Sequence, residues 1–201
     1  MKTFKLISLI VVLLAFVFCE GWSVQVIAEI NGWGLGGDFI VDDTANYLGV
    51  NSMATDGYDG NFDIPDSPPP PGNYIRFYFP HFDWSDTFEN EFTQDIRFEN
   101  EFLLNGTGIE WEGELYSNMD GENSLVFLLE ENFPNCQINI ILDEETFDIS
   151  DGDTLFTYIN AFQEKQVTIN VNSCDYSENI IDNEFSSSIN ILEAFPNPFN
   201  N

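Results

Sequence analysis

Apolar and polar residues alternate along many short segments of this chain, and this alternation constrains its fold more than any other feature. Between Trp22 and Ile30 every second residue is apolar, whereas Ser23, Gln25 and Glu29 are polar. A period of two predicts a half-buried β-strand. Further strand candidates lie around residues 47–50, 75–79, 98–104, 109–115, 125–129, 138–142, 155–161 and 167–171.

Turn-forming residues separate these segments, at Asn31-Gly32, Gly36-Gly37 and residues 105–108, 119–122 and 151–153. No segment keeps a period of 3.6 residues, so helices are not expected. Short strands at this spacing predict an all-β fold, and in particular an antiparallel β-sandwich of the immunoglobulin-like or jelly-roll type. An up-and-down barrel is the alternative.

Apolar residues are abundant enough for a packed core. The chain has 201 residues, of which 43% are hydrophobic and 15% aromatic, with twenty Phe and four Trp. Burial of these side chains offsets the entropy lost on folding, so a disordered chain is not expected. We predict one β-domain over residues 22–175. A polar linker follows over residues 176–193, where Ser and Asn replace the apolar residues.

The N-terminus has the features of a signal peptide. Two lysines precede an apolar run over residues 6–18, which is shorter than the ~20 residues of a membrane-spanning helix. We predict that residues 1–21 are removed on the way through the periplasm, so that no membrane span remains. Phe18 stands before Cys19, where lipoproteins carry a small residue, and this disfavours a lipid anchor.

The chain is strongly acidic, with a formal net charge of −30 at pH 7. Removal of residues 1–21 takes away two of the five basic and one of the thirty-five acidic residues, which leaves three against thirty-four and a net charge of −31. Such a surface repels nucleic acid and anionic lipid, because phosphate contacts need a basic surface. The acidity therefore indicates either solubility in a salty exterior or cation binding.

Signal cleavage also removes Cys19 and leaves two cysteines, Cys136 and Cys174, in a compartment where disulfides persist. Each lies at the end of an apolar segment, so a bond between them would pin the last strand to an earlier one. Such a bond removes loop-closure entropy from the unfolded chain, worth ~3 to 4 kcal/mol. We predict this disulfide, with two separate buried thiols as the alternative.

An acidic loop interrupts the regular succession of strands. Asp56, Asp59, Asp63 and Asp66 place four carboxylates within eleven residues, next to two glycines that can take positive φ. Calcium binds about six to eight oxygens in such flexible turns, so these four residues are candidate calcium ligands. The spacing differs from that of an EF-hand, because Tyr58 stands at the third position. The alternative is that the aspartates build turns and the four prolines that follow stiffen the connection.

A row of three carboxylates is the candidate for catalysis. Glu110, Glu112 and Glu114 lie on one face of a predicted strand, with neighbours ~6.5 to 7 Å apart, a separation that glycoside hydrolysis can use. Their alternation with Trp111 and Leu115 favours a solvated sheet face instead. A general acid also needs burial to raise its pKa, and nothing in the sequence suggests it here.

His81 is the single histidine, and no serine elbow accompanies it, so a hydrolase triad is not expected. It stands near Asp83 and Asp86 and either contributes to a metal site or caps a turn at a strand end. The turn is favoured, because the chain has too few His and Cys residues for a zinc site.

Aromatic residues in or beside the predicted loops are the candidates for ligand binding. Trp33, Tyr58 and Trp84 belong to this group, whereas Trp22 and Trp111 follow strand patterns and are expected in the core. Exposed aromatic rings can stack on sugars. We therefore expect a non-catalytic module, structural, adhesive or ligand-binding. A carbohydrate-binding module and a carboxylate-dependent glycoside hydrolase are the alternatives.

Two segments resemble secreted bacterial proteins. Residues 54–59, Ala-Thr-Asp-Gly-Tyr-Asp, followed by Asp63, a proline-rich stretch and an aromatic strand, resemble an uncharacterised domain of proteins that end in a sorting domain. Residues 195–200, Phe-Pro-Asn-Pro-Phe-Asn, resemble the opening of that sorting domain, the type A C-terminal signal of the type nine secretion system. Phe195 replaces the usual tyrosine, Asn201 replaces a common proline, and the strands of the sorting domain do not follow.

The resemblance implies an exported protein, secreted or held at the cell surface. Residues 194–201 would then be the start of a truncated sorting domain, and the secretion machinery would be a partner. The resemblance implies no particular activity, so the ligand has to be inferred from the residues themselves.

Overall fold

The computed structural model describes residues 21–34, 37–84, 90–98, 108–131 and 133–175, without the side chains of residues 33, 34, 37, 38 and 173–175. These residues form eleven strands: β1 (Trp22–Gly34), β2 (Gly37–Asn51), β3 (Ile64–Pro65), β4 (Ile75–Pro80), β5 (Glu91–Phe98), β6 (Ile109–Ser117), β7 (Gly121–Leu129), β8 (Asn135–Leu142), β9 (Glu145–Ile149), β10 (Thr154–Ile159) and β11 (Gln163–Asp175). The described chain contains no helix, which confirms the all-β prediction.

The strands form one mixed sheet in the order β10-β7-β1-β2-β5-β4-β6-β11-β8-β9, with β3 paired to β5. All of these pairs are antiparallel except β2 with β5, which run parallel in the register Tyr47 to Gln94. The prediction of a purely antiparallel fold is therefore wrong at this position. The reason is that β3 and β4 both run antiparallel to β5 and hence in the same direction as each other, so the chain does not reverse between them and β5 returns in the direction of β2.

The sheet curls at β4, so that its two halves enclose the core. Residues 75–78 pair with β6, whereas Phe79 and Pro80 pair with β5, so one strand belongs to both halves. The rings of Trp22 and Trp111, one from each half, meet edge to face with centroids 6.1 Å apart. Both tryptophans are buried, at 4% and 0% exposure, which confirms the prediction that they belong to the core.

Most of the predicted strands are confirmed, but the predicted turn at Asn31-Gly32 is wrong. Both residues lie inside β1, where Gly32 pairs with Phe39 of β2. The Phe39 ring occupies the space above Gly32, since an added Cβ would lie 2.4 Å from its Cζ atom. The glycine therefore makes room for an aromatic ring on the neighbouring strand and does not serve a turn.

Three predicted regions lie outside the described residues or at their limits: the signal peptide (1–21, of which Gly21 is described), the linker (176–193) and the start of the sorting domain (194–201). Part of the strand predicted around residues 98–104 also lies outside them, and β5 ends at Phe98. Among the described residues, no helix is long and apolar enough to cross a membrane.

Candidate functional site

An acidic cleft of about 310 Å³ opens where the loops after β2 and β4 meet the strands β5 and β6. Its lining residues are Asp56, Pro80, His81, Asp83, Trp84, Arg97, Glu110 and Glu112. We call this site the acidic cleft, because four of the eight residues carry a carboxylate.

Main-chain pairing brings the cleft residues together. β4 ends at Pro80, and the backbone N–H of His81 donates to the carbonyl of Asn90 at 2.8 Å, which holds His81 beside the start of β5. Arg97 lies one residue before the end of β5, and its Nη1 donates to the Glu110 carbonyl at 2.7 Å. The guanidinium thereby connects β5 to the beginning of β6.

A buried ion-pair cluster forms the floor of the cleft. The Asp95 side chain is 1% exposed, and its Oδ2 atom lies 2.9 Å from both His81 Nε2 and Arg97 Nη2. Burial alone would raise the pKa of Asp95, but the hydrogen bond from His81 and the charge of Arg97 outweigh it and hold this pKa below its usual value. Asp95 is therefore an anion that fixes two donors beneath the cleft.

Aromatic rings hold this cluster in place. The imidazole of His81 stacks on the Trp84 indole with centroids 3.5 Å apart, and the Phe92 ring meets Trp84 edge to face at 4.7 Å. The Arg97 guanidinium lies 5.2 Å from the centroid of the buried Trp111 ring. His81 thus packs as part of the wall, as expected for a structural histidine at a strand end, although its Nδ1 atom also lies 3.6 Å from exposed Asp83.

Of the four candidate calcium ligands, Asp63 is the most buried, at 2% exposure. Its two carboxylate oxygens accept from the backbone N–H groups of Asp59, at 2.6 Å, and of Ile96, at 3.1 Å. Burial raises the pKa of Asp63 to about 6, although these two hydrogen bonds act in the opposite direction. Asp63 therefore joins the acidic loop to β5 by main-chain contacts.

The other three candidates have different surroundings. Asp66 accepts from Arg76 Nη2 at 2.6 Å, and Arg76 also pairs with Glu91. Burial raises the pKa of Asp66, and the bond from Arg76 opposes this. Asp59 accepts from the backbone of Asn61, while Asp56 lines the acidic cleft. In the described part of the chain, no three His, Cys, Asp or Glu side chains are placed to hold a metal ion.

Two of the three candidate ligand-binding aromatics, Tyr58 and Trp84, lie next to each other. Trp84 is 8% exposed; it lines the acidic cleft, and its indole stacks on the His81 ring. Tyr58 is 41% exposed, and its ring lies 6.1 Å from that of Trp84, so these two residues are neighbours. The backbone of Trp33 belongs to β1, but its side chain lies outside the described residues.

The three glutamates of the predicted row differ in their surroundings. Glu110 and Glu112 are exposed and line the acidic cleft, whereas Glu114 is half-buried and accepts from the Tyr78 hydroxyl at 2.7 Å. Burial and the neighbouring Glu114 raise the pKa of Tyr78. The predicted alternation is confirmed, because Trp111 and Leu115 between these glutamates are fully buried.

Asp95 and Arg97 are the functional-site residues that sequence reasoning missed. One general signal pointed to them: in a chain this acidic, each basic residue is expected to find a carboxylate partner. In the described chain each of Arg76, Arg97 and Lys165 does so. The sequence contains thirty-five acidic residues, however, so it could not single out Asp95 as the buried one.

No protein-family model, no curated protein and no solved structure matches this chain.

Proposed function

We propose that this chain is a non-catalytic β-sandwich module of an exported protein, which binds a ligand rich in hydrogen-bond donors at the acidic cleft. A neutral saccharide is the ligand that fits this chemistry best. The two halves of the sheet around one core support the sandwich description. Binding at the acidic cleft would attach the surface or secreted protein that carries the module to its target.

One observation carries this proposal: His81 and Arg97, the nitrogen donors of the cleft, are already engaged by Asp95 beneath it. The groups left to face a ligand are the four carboxylates of the cleft, which are acceptors, together with the edge of an aromatic wall. Sugar hydroxyls donate to carboxylates and their C–H faces pack on aromatic rings. A phosphate or sulfate group would meet negative charge instead.

The exposure of the cleft carboxylates favours binding over catalysis. In glycoside hydrolysis the general acid needs a pKa raised by burial, and a water-excluding site strengthens the charges that act on the bond. Glu110 and Glu112 are exposed on a sheet face. The carboxyl groups with raised pKa values, Asp63 and Asp66, are instead engaged by main-chain amides and by Arg76. A glycoside hydrolase is therefore the weaker alternative.

Export is the second part of the proposal. The apolar run over residues 6–18 and the motif over residues 195–200 support cleavage of a signal peptide and delivery by the type nine secretion machinery to the exterior or the cell surface. N-terminal sequencing of the secreted protein should give a first residue near Gly21. Recovery of the whole protein in the cytoplasm with Met1 intact would refute this part.

Binding can be tested by NMR titration of the protein with neutral oligosaccharides of several linkages. We expect shifts of the backbone amides around Glu110 and Glu112, and at least a tenfold weaker affinity in Glu112→Gln, because a charge-assisted acceptor is lost. Glu145→Gln is the matched control, since Glu145 is an exposed strand glutamate on β9 and does not line the cleft.

Two results would contradict the proposed function. If no oligosaccharide shifts an amide of the cleft at millimolar concentration, the saccharide assignment is wrong. If a saccharide is cleaved and Glu112→Gln abolishes the cleavage, the module is an enzyme, and the hydrolase alternative replaces the proposal.

A further inference from the structure

We propose that β10 is an association edge, at which the chain pairs antiparallel with β10 of a second copy. β10 lies far along the sheet order from the acidic cleft strands β5 and β6, and its pairing does not depend on the proposed function. β10 is the terminal strand of the described sheet and pairs with β7 alone.

The register shows which main-chain groups of β10 remain available. The backbone N–H of Phe127 on β7 donates to the Asp153 carbonyl at 3.0 Å. In an antiparallel pair every second residue bonds to the neighbouring strand, so from Asp153 onward every second residue directs its N–H and C=O groups towards β7. These residues are Leu155, Thr157 and Ile159. On the opposite edge lie the N–H and C=O groups of Thr154, Phe156 and Tyr158, which make no hydrogen bond to any described residue.

The side chains of this edge have no protection against pairing. Thr154–Ile159 contains no charged residue, and Phe156 and Tyr158 are 67% and 57% exposed on the same face. Natural edge strands are usually blunted by charges, prolines or bulges. The strand at the other end of the sheet, β9, follows this rule, because it carries Glu145 and Asp148. A second copy would therefore be repelled at β9 and accepted at β10.

A twofold arrangement suits the sequence of β10. If Thr157 lies on the twofold axis, Phe156 of one copy stands opposite Tyr158 of the other. The N–H of each of these two residues then donates to the C=O of the other, and the same pair of bonds forms on both sides of the axis. Paired strands lie about 4.8 Å apart, so the two aromatic side chains on each side of the axis make cross-strand contacts. The same patch serves both partners, as in an isologous dimer. The interface is small, so the dimer is expected to be weak.

Charge determines how this association responds to salt. Two copies with a net charge of −30 each repel one another, while the contact itself has no ion pair. Screening shortens the range of the repulsion, so added salt should strengthen the dimer. An interface built on salt bridges would weaken instead.

Sedimentation velocity of the full chain over a hundredfold range of concentration, at low and high salt, tests the proposal. We expect a monomer–dimer equilibrium that shifts towards dimer as salt rises. The Phe156→Lys/Tyr158→Lys variant should be monomeric throughout, because like charges would then face one another across the axis. Ile40→Lys is the matched control: Ile40 is 66% exposed on β2, and its replacement makes the net charge less negative without touching β10.

The control makes the experiment decisive. Each added lysine reduces the overall repulsion, so a non-specific association should increase in both variants, whereas pairing through β10 should be lost in one and kept in the other. Hydrogen exchange adds a residue-level measurement: the Phe156 and Tyr158 amides should be protected in the dimer and exchange fast in the monomer. The Thr157 amide faces β7 and should be protected in monomer and dimer alike. Its protection in each variant therefore shows that the variant is folded.

Three outcomes would overturn the proposal: a wild-type chain that stays monomeric at every concentration, an association that the lysine variant retains, or fast exchange of the Phe156 and Tyr158 amides in the dimer. If the chain stays monomeric and binds a neutral polysaccharide through Phe156 and Tyr158, the two rings belong to a sugar-binding surface instead.

Discussion

The imidazole of His81 lies flat on the indole of Trp84, with ring centroids 3.5 Å apart and planes 2° apart. At the same time His81 Nε2 reaches Asp95 Oδ2 at 2.9 Å. The stack and the hydrogen bond fix the ring in two perpendicular directions. The wall of the acidic cleft is therefore rigid at the point where the loop after β4 leaves the sheet, which favours a preorganised binding surface.

Removal of the buried carboxylate should destabilise this wall strongly. In Asp95→Ala, His81 and Arg97 lose their common acceptor, and we expect a loss of about 3 kcal/mol in the free energy of unfolding. Asp83→Ala is the control, because Asp83 also approaches His81 but its side chain is 80% exposed, and exposed pairs contribute little. Urea unfolding measures both. Equal effects of the two substitutions would show that Asp95 is not the anchor.

Two glycines that lie under phenylalanine rings should respond differently to alanine. A Cβ at Gly113 would come within 2.4 Å of Phe77, and one at Gly32 within 2.4 Å of Phe39. Phe77 is fully buried and has core residues around it, whereas Phe39 is half-buried and has more room to shift. We expect Gly113→Ala to cost about 2 kcal/mol by overpacking and Gly32→Ala less than about 1 kcal/mol.

Thermal unfolding of the two alanine variants measures this difference. In a Phe77→Leu background, Gly113→Ala should cost less stability than in the wild-type chain, because the smaller side chain leaves room for the added methyl group. If Gly32→Ala is the more damaging substitution, the explanation by ring mobility is wrong.

The period of two predicted most strands because successive side chains of a strand point to opposite faces of the sheet, one of which is the core. β6 is an example. Trp111 and Leu115 are buried, Glu110 and Glu112 are exposed, and Glu114 on the same face as these two is half-buried. By contrast β5 has no clean alternation, since both Asp95 and Ile96 are buried. Its register shifts where it meets β3, at Ile64 and Pro65. Such irregular pairing depends on distant residues and leaves no local pattern.

The acidic cleft was harder to predict than the strands, for a related reason. Its members come from four separate parts of the chain, and the partner of each charge is chosen by the tertiary fold. The parallel pairing of β2 and β5 sets Leu48 beside Asp95 and thereby determines which aspartate is buried. The acidity of the loop around Asp59 was visible in the sequence, whereas the engagement of Asp63 with the Ile96 amide was not.

The disulfide between Cys136 and Cys174 stays a prediction, and the backbone register supports it. Asn135 pairs with Asp175, so the two cysteines are the next positions inward along β8 and β11. We expect neither thiol to react with iodoacetamide until a reductant is added, as read by intact mass. Cys136→Ser/Cys174→Ser should lower the free energy of unfolding by about 3 to 4 kcal/mol. Alkylation of both residues without reductant would contradict the prediction.

Calcium binding by the acidic loop also stays a prediction. Because Asp63 contacts two amides and Asp66 contacts Arg76, an ion would first have to use the carboxylates of Asp56 and Asp59. Millimolar calcium should then raise the melting temperature of metal-stripped protein, and Asp59→Asn should reduce this shift. Isothermal titration gives the direct measurement. No heat and no shift in either the native chain or Asp59→Ala/Asp63→Ala would remove calcium as a cofactor.

Asp63 should make the stability of the protein fall as the pH rises from about 4 to 7. Its pKa is about 6 in the folded chain and 3.8 as an ordinary aspartate, so folding favours the protonated form. This contribution is fully present below pH 3.8 and is lost as the pH rises through 6. From pH 5 to pH 7 we expect the wild-type chain to lose about 1 kcal/mol through this group.

Repulsion among the other carboxylates changes in the same direction, so the comparison needs a variant. Asp63→Asn does not titrate and keeps one oxygen acceptor for the amides of Asp59 and Ile96. Its free energy of unfolding, measured in urea at pH 5, 6 and 7, should fall less steeply than that of the wild-type chain. Parallel pH profiles would mean that Asp63 is charged throughout this range, and that its two amide hydrogen bonds outweigh the cost of its burial.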